Sequence, residues 1–149
     1  MLWEITILVT TPEPTSIRDA YGVIKSLGSA AWGADAGLML VVNSVSSSLE
    51  ASEVSERIRR ISMQYLGKAP LYLGYVLRDQ AIERSVKNCK IFYKADPEAK
   101  ASICVRNLAG ELLRHVEGAN IEKIKIPNQK KGGAGLFFRK LFKTILNQK

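Results

Sequence analysis

The stretch that decides the fold is Ile5-Thr6-Ile7-Leu8-Val9-Thr10-Thr11-Pro12-Glu13-Pro14-Thr15-Ser16-Ile17-Arg18-Asp19-Ala20-Tyr21. Its first half is dense in β-branched and apolar residues and reads as a buried strand, Ile5–Val9. Thr11-Pro12-Glu13-Pro14 ends that strand, because proline removes a ladder donor. A helix follows, with Thr15 or Ser16 expected as its N-cap and Asp19 near its positive end. Ile17, Ala20, Tyr21 and Ile24 recur at helical spacing and form one apolar face, and Gly28 is the expected stop.

The same alternation continues outward. Leu38–Val42 is a second apolar run ending at Asn43, and a serine-rich turn leads to a helix over about 49–66. Val54, Ile58, Ile61 and Tyr65 are its expected stripe, and Gly67 closes it. Leu71–Val76 reads as a third strand, and Asp79 as the cap of a short helix through Ala81, Ile82 and Val86. A loop is expected around Ile91-Phe92-Tyr93. Asp96-Pro97 has the form of a helix start, with Ala101, Val105, Leu108 and Leu112 on the buried face and Gly118 as the stop. Strands alternating with helices in the order βαβαβαα predict an α/β fold, a parallel sheet flanked by helices.

Composition narrows the functional classes. The chain has 149 residues, 46% apolar and 24% charged, which excludes wholesale disorder. Two cysteines, Cys89 and Cys104, are too few for a disulfide scaffold and lack metal-ligand spacing, so a reduced cytosolic setting and no metal are expected. No apolar run approaches the ~18–20 residues a membrane span needs, and Met1-Leu2-Trp3-Glu4 lacks a basic leader region. The net charge is +8, but residues 1–122 hold 14 basic and 14 acidic side chains. The whole excess lies in residues 123–149, which carry eight basic side chains and no acid. The expected organisation is therefore a body, 1–128, neutral through residue 122, followed by a glycine-rich basic linker and terminal helix, 129–149.

On a helical wheel, Phe137, Phe138, Leu141, Phe142, Ile145 and Leu146 share one side, with Arg139, Lys140 and Lys143 opposite. That is the pattern of a helix lying in the plane of an anionic membrane. The alternative is a terminal helix docked on protein. Nucleic acid is disfavoured, because the aromatic residues lie opposite the charge instead of between the basic residues. His115 stands alone on its helix and reads as a surface or packing residue.

Val9–Tyr21 closely resembles a segment of the MinD/ParA family of deviant-Walker ATPases, especially the FlhG-type regulators of flagellum number. There a strand ends in TTPEPTS and leads into a helix opening with DAY. Val41-Val42-Asn43 resembles the family's VVN strand end. Leu73-Gly74-Tyr75-Val76 followed by Asp79 resembles its LGxVPxD strand and loop, with Leu77 in place of the usual proline. The basic amphipathic terminus resembles its membrane-targeting sequence.

The resemblance implies a partial MinD-like (SIMIBI) three-layer fold and a spatial regulator of flagellar placement or number. It would sit in the cytoplasm, peripheral at the inner face of the cell membrane. It implies adenine recognition by Asn43 with Leu77, Arg78 and Asp79 beside the base, and a dimer or partner surface at Thr11, Pro12, Glu13 and Asp19. Flagellar assembly proteins or a second copy are the implied partners. In that family this region is the C-terminal half; the other half carries the phosphate loop KGGxGKT, the switch carboxylates and the Mg²⁺ ligands.

None of these precedes Ile5, so ATP hydrolysis is not expected of this chain alone, and a truncated or partial enzyme is expected. ATP and Mg²⁺ belong to the complete family enzyme. Lys131-Gly132-Gly133-Ala134-Gly135 imitates the phosphate loop but continues Leu136-Phe137, without its lysine and hydroxyl. Two alternatives stand beside this reading: a membrane-binding adapter that lost ATPase chemistry, and a DNA-binding protein using the basic tail. The family comparison also predicts that Ile5–Val9 is an open sheet edge, or one covered by another chain.

Overall fold

The computed structural model describes residues 5–27 and 37–118. The terminal helix, the Ile121–Ile126 run, the 29–36 loop and the Lys131–Gly135 segment lie outside these residues. Eight elements follow one another: β1 (Ile5–Thr10), α1 (Pro14–Leu27), β2 (Gly37–Val45), α2 (Ser48–Leu66), β3 (Leu71–Leu77), α3 (Gln80–Lys87), α4 (Phe92–Ala95) and α5 (Lys100–Gly118). The strands form a parallel sheet in the order β1-β2-β3. Alternating side chains of β2 divide the core. Leu38, Leu40 and Val42 pack with Ile17, Ala20 and Ile24 of α1 and Val54 and Ile58 of α2. Met39 and Val41 face the other way, against Leu108 and Leu112 of α5. The sheet is thus covered by the crossover helices α1 and α2 on one face and by α5 on the other, as the strand–helix alternation predicts.

Local chemistry sets the boundaries. α1 begins at Pro14, with the Ile17 N–H donating to the Glu13 carbonyl (3.0 Å), so neither Thr15 nor Ser16 is the N-cap. Ser16 instead turns back on the strand end. Its Oγ accepts from the Thr11 N–H (3.0 Å) and lies 3.0 Å from Thr10 Oγ1. α2 opens with a reciprocal cap: Ser47 Oγ accepts from the Glu50 N–H (3.2 Å), and Glu50 Oε2 accepts from the Ser46 N–H (2.6 Å). It closes on Gly67 at φ 66. Its buried stripe is Ala51, Val54, Ser55, Ile58 and Ser62, rotated from the expected one; Tyr65 is exposed and rests edge-on against Tyr21. Ser55 and Ser62 tolerate burial because their hydroxyls donate back to the carbonyls of Ser52 and Ile58.

Three expectations are corrected. Phe92–Ala95 is a short helix, α4, where a loop is expected; Phe92 turns toward the cluster formed by Val76, Ala101 and Cys104. Asp96-Pro97 does not start the last helix, which begins at Lys100. The Asp96 carbonyl accepts from Ser102 Oγ (2.7 Å), and its carboxylate faces Arg84 (3.7 Å). The third correction concerns burial. β1 is a strand, but it is not buried along its length. Register pairs Ile7 with Met39 and Val9 with Val41 on the same face. Met39 is 5% exposed beneath α5, whereas Ile7 is 41% and Val9 56% exposed. α5 lies over β2 and β3 and stops short of β1. Among the described residues β1 is an edge strand with one bare apolar face.

Candidate functional site

Parallel strands end on one side of the sheet, and that side gathers the hydrogen-bonding groups of this chain. From β1 come Thr10, Thr11 and, folded back from α1, Ser16. From β2 come Asn43 and Ser44, and from the end of β3 come Leu77, Arg78 and Asp79. β2 carries an extra residue against β3 between Val42 and Val45, so Asn43 and Ser44 form a bulge. Ser44 stands in the left-handed region at φ 59. Asn43 Oδ1 accepts the Ser44 N–H (2.8 Å), which holds the bend. The Asn43 amide nitrogen makes no hydrogen bond to any described residue, so the side chain keeps a donor for another group.

The loop after β3 is tied to this bulge and to two helices. The Arg78 N–H donates to the Val45 carbonyl (2.8 Å), and Arg78 Nε reaches Ser44 Oγ (3.4 Å). Asp79 Oδ1 accepts from the Ala81 N–H (2.8 Å), capping α3, and Oδ2 accepts from the Ala101 N–H (3.1 Å), capping α5. One carboxylate therefore satisfies the starts of two helices. The backbone N–H groups of Ala81 and Ala101, with Arg84 nearby, hold its pKa below the ordinary aspartate range despite some burial. Asp79 is the expected cap of α3. Its reach to α5, across 22 residues, leaves no mark in the local sequence. Arg78, Asp79, Arg84, Asp96 and Lys100 line a shallow hollow beside it.

The remaining candidates spread out. Thr11 and Pro12 are half-buried and Glu13 is exposed in the strand-to-helix turn. Asp19 projects into solvent from α1, 3.9 Å from Arg18 Nε. His115 is exposed, its Nδ1 2.9 Å from the Glu111 carbonyl. Cys89 is exposed and Cys104 buried, both unbonded. Among the described residues there is no cluster of three metal-ligating side chains and no helix long and apolar enough to cross a membrane. The candidate membrane residues, Phe137 to Leu146, lie outside the described residues. What the strand ends present is a set of hydrogen-bonding groups held in place by the bulge, the Ser16 clip and the Asp79 caps.

Comparison with known proteins points the same way as the strand-end motifs. The chain is 30% identical over 143 residues to the flagellum site-determining protein YlxH of Helicobacter pylori, covering 95% of this chain and 45% of that protein. It is 29% identical over 106 residues to the antiactivator FleN of Pseudomonas aeruginosa, covering 69% of this chain and 36% of that protein. The chain thus spans less than half the length of the curated relatives it matches. No protein-family model matches it.

Proposed function

We propose that this chain, a relative of the FlhG-type flagellar regulators of the MinD/ParA family, is the base-side and partner-side half of such a regulator, acting on flagellar placement or number. A phosphate-loop half, carried on the same polypeptide or on another, completes it across β1. The observation that carries this reading is β1 itself. One of its faces is wholly apolar, yet among the described residues Ile5, Ile7 and Val9 stand uncovered at a sheet edge without a lysine, proline or bulge to protect it.

In the completed unit the strand ends receive a nucleotide. The Asn43 amide offers its unused donor to the adenine ring, and the Leu77–Asp79 loop flanks the base. ATP and Mg²⁺ would be held by the other half, and the part of this chain is recognition of the base. Thr11, Pro12, Glu13 and Asp19 form the surface offered to a second copy or to a flagellar assembly protein. The Phe137–Leu146 segment attaches the assembly reversibly to the inner face of the membrane. Its apolar side enters the interface while Arg139, Lys140 and Lys143 face anionic headgroups, each adding about 1 kcal/mol. A second copy would strengthen attachment through avidity.

Deletion of the gene tests the role: flagella counted and positioned by electron microscopy should change in number or site. Unchanged number and placement would contradict the proposal. A vesicle sedimentation assay comparing the full chain with one ending at Gln129 tests the tail, and equal sedimentation would remove it.

A further inference from the structure

Val86, at the end of α3, is the most exposed large apolar side chain of the described body, and the segment from it to α4 is rich in positive charge. From Arg84 to Lys94 the sequence holds four basic residues and no acid. Residues 86–91 are all exposed, including Val86 at 71% and Ile91 at 54%. Val86 is on the last turn of α3 and Ile91 directly precedes α4, both exposed positions where polar side chains would be ordinary. The backbone between them is bent into a tight reversal. The Lys90 N–H donates to the Ser85 carbonyl (2.8 Å), and the Cys89 N–H to the Val86 carbonyl (3.1 Å). Cys89 adopts φ 51, which reverses the chain. The chain therefore reverses directly after α3, and Val86, Lys87, Lys90 and Ile91 fall within six consecutive exposed residues. Arg84 faces Asp96 (3.7 Å), but neither Lys87 nor Lys90 has an ion pair among the described residues.

We infer that the Val86–Ile91 turn is a contact site for an anionic lipid surface. The chemistry favours lipid over protein. A protein partner needs an extended, shape-matched patch of roughly 800 Å² on each side. Two separate exposed apolar side chains beside lysines instead suit a deformable interface, where each side chain enters between headgroups and the lysines stay at phosphate level. The inference extends the membrane reading above and stands on residues that the tail does not use. Together the two contacts would orient the body on the membrane instead of leaving it on a tether.

The test is sedimentation of the full chain with phosphatidylglycerol-containing vesicles, against pure phosphatidylcholine vesicles and soluble polyglutamate. Four variants are compared: Lys87→Glu with Lys90→Glu, Val86→Ser with Ile91→Ser, Lys87→Arg with Lys90→Arg, and Phe138→Glu with Phe142→Glu. Circular dichroism checks that each is folded. The glutamate pair should weaken binding to anionic vesicles at least about tenfold, and the serine pair about fivefold. The arginine pair should bind as the parent does. If both turn pairs bind like the parent while the tail pair fails, the turn inference is overturned and the tail reading survives. If the turn pairs fail while the tail pair binds normally, the tail reading falls and the inference stands. If the serine pair is neutral, and the glutamate pair lowers vesicle and polyglutamate binding alike, the surface reads an acidic protein and the inference is overturned. A parent chain that ignores anionic vesicles overturns both.

Discussion

The two outer strands of the sheet look alike in composition and live in different surroundings. β3 has the buried Leu73 and Val76 packed under α5, and its following loop is stapled to two helices by Asp79. β1 has Leu8 turned toward the core between sheet, α1 and α2, but among the described residues no helix covers Ile5, Ile7 and Val9. Hydrophobicity alone therefore does not place a strand inside a domain; the helix that should cover it must also be supplied. The α5 layer extends over two strands of three. The bare strand is the side on which the proposal places the phosphate-loop half.

Paired substitutions on one rung break or sharpen this contrast most strongly. Met39→Ala, beneath α5, should cost about 3 kcal/mol in denaturant unfolding, because Leu108 and Leu112 lose their partner. Ile7→Ala, its register neighbour, should cost about 1 kcal/mol or less. Similar losses at both positions would mean that β1 is covered in solution. On the covered side, Gly74→Ala is the next largest effect. Gly74 sits at φ 146, and an added Cβ would lie 2.8 Å from Leu108 Cδ2. The expected loss is about 2 kcal/mol.

Asp79→Ala should cost about 2 kcal/mol at neutral pH, because two helix starts lose their acceptor. The pH dependence carries a definite sign. The folded pKa of Asp79 is lowered, so its stabilisation is present above the unfolded value of about 3.9 and is lost as pH falls through the lower folded value. The stability gap between the parent and Asp79→Asn should therefore close in acid, and a gap independent of pH would contradict the staple. The smallest effect is expected at Tyr72, whose buried hydroxyl has no partner among the described residues. Tyr72→Phe should change stability by less than about 1 kcal/mol, in the stabilising direction.

The elements that sequence reads correctly are those whose signals are local. Apolar runs mark the three strands, Gly67 the end of α2 and Asp79 the start of α3. It misses what depends on distant partners. Ser55 and Ser62 look polar, yet they lie inside because their hydroxyls find carbonyls on their own helix. Tyr65 continues the apolar spacing of α2 but remains exposed, beside Tyr21. Asp96-Pro97 has the local form of a helix start, while the acceptor for the Ala101 N–H is Asp79, 22 residues earlier. The strand-end site is legible at Asn43 and Asp79. The left-handed Ser44 and the clip made by Ser16 are not, because both arise only when strand ends and turns meet.

Amide hydrogen exchange at Ile5–Thr10 tests the central claim most directly. The chain would be measured alone and then mixed with the separately expressed phosphate-loop half of a FlhG-type relative. Fast exchange is expected along the outer edge of β1 in the chain alone, with slowing confined to that strand and its neighbours on mixing. Protection of that edge in the isolated chain, or exchange indifferent to the added half, would contradict it.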